Sequence, residues 1–261
     1  MRILFIGDIV GKPGRRAIFE LLNNIKDSYN VDLIIANAEN ASGGFGVTLK
    51  IIRELLDNGI DLLTSGNHIW DKKEIVEWFN EEKHLLRPAN YPAENPGAGS
   101  AILRTPLGEN IGVLNLLGRV FMNTVNCPFK TAIEEVNKLK EKTNVILIDI
   151  HAEATSEKIA MGWFLDGKVS AVIGTHTHIQ TADERILPKG TAYITDVGMT
   201  GAMDSVIGIE KEIVIERFLT QRPQRFKVAK RDIQLNAVLI DIDPQTGKSN
   251  SIKRLKMDLN I

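Results

Sequence analysis

Five short apolar runs in this chain each lead into polar residues able to bind a metal or move a proton. Residues 2–7 (RILFIG) run into Asp8, and 31–36 (VDLIIA) into Asn37-Ala38-Glu39-Asn40. Residues 61–64 (DLLT) precede Ser65-Gly66-Asn67-His68, and 144–150 (NVILIDI) precede His151. Residues 169–173 (VSAVI) lead into Gly174-Thr175-His176-Thr177-His178. Such runs read as buried β-strands. Helical spacing separates the early ones: Ile18, Leu21, Leu22 and Ile25 in one stretch, then Ile51, Ile52, Leu55 and Leu56 behind Thr48 as N-cap. Alternating strands and helices constrain the fold to the α/β class, and polar residues past strand ends are where open α/β sheets bind ligands.

The rest of the chain extends this pattern. Gly11, Pro13 and Gly14 read as a loop before the first helix, and Trp70 to Phe79 as helical. Residues 87–99, rich in Pro, Asn and Gly, read as a long loop, and loops of that kind are often functional. Residues 100–104 and 111–116 can pair as antiparallel strands. Thr131–Lys142, Ser156–Phe164 and Glu210–Leu219 read as helices. Residues 185–187, 192–195, 235–242 and 251–256 read as strands, and 196–201 as a Gly-containing loop. No linker, repeat or low-complexity segment divides the chain. The expectation is one domain over 1–261, with two packed sheets and helices outside them.

Composition excludes several function classes. The 261 residues are 43% hydrophobic and 25% charged with net charge -1, so no global basic field points to nucleic acid. The basic stretches 222–231 and 253–256 read as solvated faces. No apolar run reaches membrane-spanning length, and residues 1–8 lack the length and cleavage site of a signal peptide. Cys127 is the single cysteine, so no internal disulfide forms. A cytoplasmic protein is expected, with a symmetric homo-oligomer as the default assembly.

Four of the five histidines stand in the strand-end set, whereas His84 lies in the charged stretch Glu81-Glu82-Lys83 and reads as solvated. Each polar residue alone is ordinary: Asp8 could cap a helix, and Gly66-Asn67 could make a turn. Together, Asp8, Glu39, Asn40, Asn67, His151, His176 and His178 offer carboxylate, amide and imidazole donors, a mixture suited to iron, manganese, zinc or nickel and not to calcium. Glu39, midway in the set, is the candidate bridge between two ions. Two metals roughly 3.5–4 Å apart clamp a phosphate and hold a bridging hydroxide for in-line attack. His68, beside Asn67, is the candidate proton donor to the leaving oxygen. His176 and His178 alternate along an extended segment, so both reach one metal pair only where the chain bends.

These residues together resemble the calcineurin-like metallophosphoesterase superfamily, through Gly7-Asp8, Gly66-Asn67-His68, His151 and Gly174-Thr175-His176-Thr177-His178. Three departures narrow the resemblance. Asp8-Ile9-Val10 lacks the histidine of the usual Asp-x-His, Glu39 replaces the bridging Asp, and Ile69 follows His68 where an acid is usual, with Asp71 further on. With Asn40 as the substitute ligand, the combination is similar to the YmdB-like family of bacterial phosphodiesterases. The likeness extends to Thr195-Asp196-Val197-Gly198-Met199-Thr200-Gly201.

The resemblance implies a four-layer α/β/β/α sandwich that hydrolyses cyclic nucleotides, 2′,3′-cyclic forms to 3′-nucleotides in particular. It implies one metal on Asp8, Glu39, Asn40 and His178, a second on Glu39, Asn67, His151 and His176, with iron or manganese foremost, and His68 as proton donor. Two further loops, 42–46 and 198–201, could present backbone N–H groups to an anion because glycine allows the turns involved. Competing readings are a phosphomonoesterase or protein phosphatase using the same metals, and a nucleotide-sensing regulatory protein with little turnover.

Overall fold

The computed structural model describes residues 1–259; residues 260–261 of the expected domain span lie outside the described residues. In chain order the elements are β1 (Arg2–Ile6), β2 (Asp8–Ile9), α1 (Gly11–Tyr29), β3 (Leu33–Asn37), α2 (Leu49–Asp57), β4 (Leu62–Thr64) and α3 (Glu74–Trp78). There follow β5 (Ser100–Arg104), β6 (Asn110–Leu117), α4 (Pro128–Lys140), β7 (Val145–His151), α5 (Thr155–Leu165) and β8 (Ala171–Thr175). The last are β9 (Arg185–Ile186), β10 (Ala192–Ile194), β11 (Met199–Ala202), α6 (Lys211–Thr220), β12 (Ile233–Ile242) and β13 (Ser249–Asp258).

Two mixed sheets result. In the first, β1, β3 and β4 run parallel, and β12 pairs antiparallel with β1 and β11 along one edge and with β13 along the other. The second has the order β5-β6-β7-β8-β10-β9, parallel from β6 to β10 and antiparallel at both ends.

Strand alternation sorts the side chains into three cores. Leu4 and Ile6 of β1 face α1, while Ile3 and Phe5 face the second sheet. In β7, Ile146, Ile148 and Ile150 join the core that also holds Val136 and Leu139 of α4 and Met161 and Leu165 of α5, and Val145 and Leu147 pack between the sheets. The layers are therefore α/β/β/α. The same alternation turns Asp149 and His151 toward the first sheet, which is how a carboxylate and an imidazole come to lie between two apolar faces. Among the described residues no helix is long and apolar enough to cross a membrane.

Most expected elements are present, and three differ. Gly11, Pro13 and Gly14 form the first turn of α1 instead of a preceding loop. Proline is tolerated there because the first N–H groups of a helix have no partner within it. The expected helix over Trp70–Phe79 shrinks to the five residues of α3. The expected loop 196–201 runs into β11, which pairs with β2 and β12.

Close approach fixes Gly174 at the end of β8. A Cβ there would fall 1.8 Å from the Thr195 carbonyl oxygen and 2.8 Å from Cδ of Lys158. Gly174→Ala should therefore cost at least the about 1–3 kcal/mol typical of overpacking, read as a lower urea midpoint. An unchanged midpoint would show that β8 and the 195–196 turn separate freely.

Candidate active site

The C-terminal ends of β1, β3, β4, β7 and β8 converge, and the strand-end residues meet there. Asp8, Glu39, Asn40 and His151 are buried, His176 lies largely within the site, and His68 is more open. Glu39 Oε1 lies 3.0 Å from His151 Nε2, and His176 Nδ1 lies 3.0 Å from that same nitrogen. Asp8 Oδ1 stands 3.7 Å from His151 Nδ1, and Asp8 Oδ2 accepts the His176 backbone N–H at 3.2 Å. On the other side, His178 Nε2 approaches Asn40 Oδ1 at 3.4 Å. The His68 backbone N–H donates to Glu39 Oε2 at 3.1 Å. Asn67 sits between His68 and Gly66, whose missing Cβ would lie 2.3 Å from both Glu39 Oε2 and His151 Nε2. His84 is exposed and pairs with Glu82, as a solvated histidine should.

The chain does bend between His176 and His178, and both line one cavity, although the group able to hold a metal ion includes His176 and not His178. Both adopt positive φ, 102° and 66°, unusual for residues with a Cβ. A buried ion pair holds the bend: Lys158 Nζ donates to Asp196 Oδ2 at 2.7 Å and to the Thr175 carbonyl at 2.8 Å. Asp196 Oδ2 also accepts the Thr177 backbone N–H and hydroxyl, and Oδ1 accepts the Gly198 N–H.

His151, His178, Asn40 and His68 are each aimed by a partner on the far side. Thr175 Oγ1 donates to Asp149 Oδ1 at 2.7 Å, so it accepts from His151 Nδ1 at 2.9 Å and leaves Nε2 facing Glu39. His178 Nδ1 donates to the Ile207 carbonyl at 2.8 Å. Asn40 Nδ2 donates to the Gly44 carbonyl, which turns Oδ1 inward. His68 Nδ1 pairs with Asp71 at 2.9 Å, leaving Nε2 as its free nitrogen. Metal-ligating histidines are oriented in this way.

The donor set fits a cation. Glu39, His151 and His176 bring ligand atoms within 4.8 Å of one another and could hold a metal ion. Asp8 Oδ1 and Asn67 Oδ1 are buried without a hydrogen-bond partner, a state rare for buried polar atoms unless an ion or water completes it.

The protein's own electrostatics show the strain of gathering these groups. Burial alone raises the Glu39 carboxyl, but the adjoining His151 outweighs it and holds Glu39 at about 2. Burial likewise opposes charge on His151, and Glu39, Asp8 and Asp149 overcome it, lifting the imidazole to about 9. Burial, reinforced by the His151 charge, presses His176 down to about 3. Burial lifts Asp8 to about 6.

Several functional neighbours escaped the sequence reading. Asp149 is one, although an acid inside the apolar run of β7 was a visible signal. Lys158, Glu153 (3.2 Å from His176 Nε2) and the cavity wall of Phe45 and Phe226 carried none. In loops 42–46 and 198–201 several amides are already engaged within the protein. Gly198 N donates to Asp196, Met199 N to the His178 carbonyl, and Ser42, Gly44 and Phe45 N–H groups are bonded within their own loop or to Asn40. The long 87–99 loop does not line the cavity.

A four-layer sandwich with imidazoles, carboxylates and amides gathered at its parallel strand ends is a protein of the metallophosphoesterase class. The chain belongs to the YmdB-like protein family, whose model matches residues 4–255. It is 50% identical over 255 residues to the 2′,3′-cyclic-nucleotide 2′-phosphodiesterase of Bacillus subtilis (strain 168), covering 98% of this chain and 96% of that one. A crystal structure described as a hypothetical protein from Thermus thermophilus superposes with TM-score 0.92 at 43% identity, covering 99% of both chains. A novel phosphatase from Mycoplasma pneumoniae superposes with TM-score 0.93 at 37% identity, covering 99% of this chain and 93% of that one.

With its pKa near 9, the His151 imidazole is protonated at pH 7, and ligation requires it neutral. Affinity for manganese should therefore rise with pH toward 9 and level off above it, with about one proton released per site at pH 7.5. Calorimetry in two buffers of different ionisation enthalpy reads that proton. Binding with no proton release and no pH dependence would place the ion elsewhere.

Proposed function

We propose that this chain hydrolyses 2′,3′-cyclic nucleotides to 3′-nucleotides at a two-metal centre. The chain is a hydrolase of phosphoric esters; the finer reading rests on the convergence of Glu39, His151 and His176 and on the name of its 50% identical relative. Asp8, Glu39, Asn40 and His178 would hold one ion, and Glu39, Asn67, His151 and His176 the other. The mixed nitrogen and oxygen donors favour iron or manganese, with zinc or nickel also accommodated. Bound there, the ions would neutralise charge on the phosphoryl oxygens and activate a nucleophile near neutral pH.

The residues themselves do the rest. A water oxygen bonds to phosphorus as the bond from phosphorus to the ribose 2′ oxygen breaks, and the 3′ ester stays. His68 gives its Nε2 proton to the departing 2′ oxygen. Asp71 keeps the other nitrogen engaged and so leaves Nε2 free on a residue that lines the cavity. Glu39 accepts the His68 backbone N–H, tying the donor to the metal bridge. The same reading treats the chain as one catalytic domain over 1–261, and takes its single cysteine as a sign of a cytoplasmic location.

A phosphomonoesterase is the second reading, favoured by the phosphatase description of the Mycoplasma pneumoniae structure. Turnover of 2′,3′-cyclic AMP, 3′,5′-cyclic AMP and p-nitrophenyl phosphate by manganese-loaded protein separates the two. Preferential opening of the 2′,3′ ring to the 3′-nucleotide, abolished in an Asn67→Ala, His176→Ala double variant, is expected. Preference for p-nitrophenyl phosphate would move the assignment to a monoesterase. Tight binding of the cyclic nucleotide with no product would point to a sensor.

His68→Ala should lower kcat by about 10²–10⁴-fold while manganese content, read by elemental analysis, stays at the wild-type level. A variant with wild-type kcat would remove His68 from proton transfer.

A further inference from the structure

The chemistry above uses only the polar half of its cavity. That cavity, about 280 Å³, has a second, apolar half made by Val10, Phe45, Ile207, Ile209 and Phe226. A phosphodiester has no use for such a wall. Phe45 meets the His68 ring edge-on, with centroids 4.9 Å apart and planes at 69°. Its own face lies nearly parallel to Phe226, at 17° and 6.5 Å between centroids. Two near-parallel rings thus follow the proton donor in order, Phe45 edge-on to it and Phe226 one ring removed. In a nucleotide the base stands one sugar away from the phosphate, which is the same order of parts.

The two phenylalanines are held in place from the backbone. Phe45 belongs to the 42–46 turn, and Phe226 to the irregular segment after α6. Gly44 lets these segments approach, since a Cβ on it would lie 3.0 Å from Val228. The Ala229 N–H donates to the Gly208 carbonyl, and the Arg217 guanidinium lies over the Phe226 ring at 4.8 Å. Both rings stay half-buried, with surface left to line the cavity.

We propose that Phe45 and Phe226 form a stacking platform for the nucleobase, so that this site selects cyclic nucleotides over base-free cyclic phosphodiesters. This rests on the phosphodiesterase reading above. Recognition by stacking accepts every base, because every base has a π-face. The platform therefore separates base from no base far more sharply than one base from another.

The test compares manganese-loaded wild type with Phe226→Leu, which keeps apolar bulk and loses the flat face, and Phe226→Trp, which keeps it. Substrates are 2′,3′-cyclic AMP, 2′,3′-cyclic UMP and 1-O-methyl-ribose 2′,3′-cyclic phosphate. The wild type should favour both nucleotides over the base-free ring in kcat/KM. Phe226→Leu should cut that preference by about 5- to 150-fold, the range of base–aromatic stacking, chiefly through KM, and Phe226→Trp should restore it. Equal fractional losses on nucleotide and base-free substrates, or a wild type indifferent to the base, overturn the platform and leave the phosphodiesterase reading intact. A wild type that opens none of the three rings overturns the phosphodiesterase reading and the platform with it.

Discussion

One buried carboxylate couples the two sheets to the chemistry between them. Asp149 of β7 is fully buried, and burial raises its pKa. It accepts from Thr64 at 2.6 Å and Asn37 at 3.0 Å, both at strand ends of the first sheet, and from Thr175 at 2.7 Å, at the end of β8 in the second. A buried acceptor that lost these donors would cost far more than the bonds themselves contribute, because nothing else there could solvate it. The sheets are thus held in one relative position by a polar contact as well as by the apolar core around it. Thr175 passes that position on to His151. The direction of a candidate metal ligand therefore depends on how two sheets pack.

A second buried device serves the opposite end of the site. The positive φ of His176 and His178 stores backbone strain, on the order of 1–3 kcal/mol per residue, that persists only where the surroundings fix it. The Lys158–Asp196 pair supplies that constraint, since the carboxylate binds the Thr177 amide and hydroxyl between the two histidines. Removing either charge would leave the other buried and unpaired, a larger penalty than the pair's own net stabilisation. The bend is therefore held by a helix residue and a turn residue, neither of which is itself a candidate ligand.

The legible parts of the sequence were those governed by local rules. Apolar runs ending in His151 or Gly174 marked strands whose ends carry the site, and Thr48 capped its helix as expected, accepting from the Ile51 N–H. The misread parts depend on distant chain. β11 is a four-residue strand containing Gly201, and only its pairing with β2 and β12 makes it one. Gly14 looked like a loop residue, yet it lies within α1, where a Cβ would meet the Thr200 carbonyl at 2.3 Å. Its role is close packing of a helix on a strand. Phe45 and Phe226 are far apart in sequence and carry no pattern, so their shared wall could not be read before the fold was known.

The amide at position 40 joins the metal site to the aromatic wall. In the proposed ligand set Asn40 stands where relatives of the wider superfamily use an imidazole. A histidine is oriented through its second ring nitrogen, as His178 is by Ile207. An amide must be oriented through its NH₂ group, and Asn40 spends that group on the carbonyl of Gly44. Gly44 is the residue before Phe45, in the turn that also approaches Val228. In that ligand set, the orientation of the Asn40 oxygen is set by the same short turn that carries the aromatic wall. Movement of that turn would shift the Asn40 oxygen and the Phe45 ring together, so the candidate metal ligand and the proposed base platform share one support.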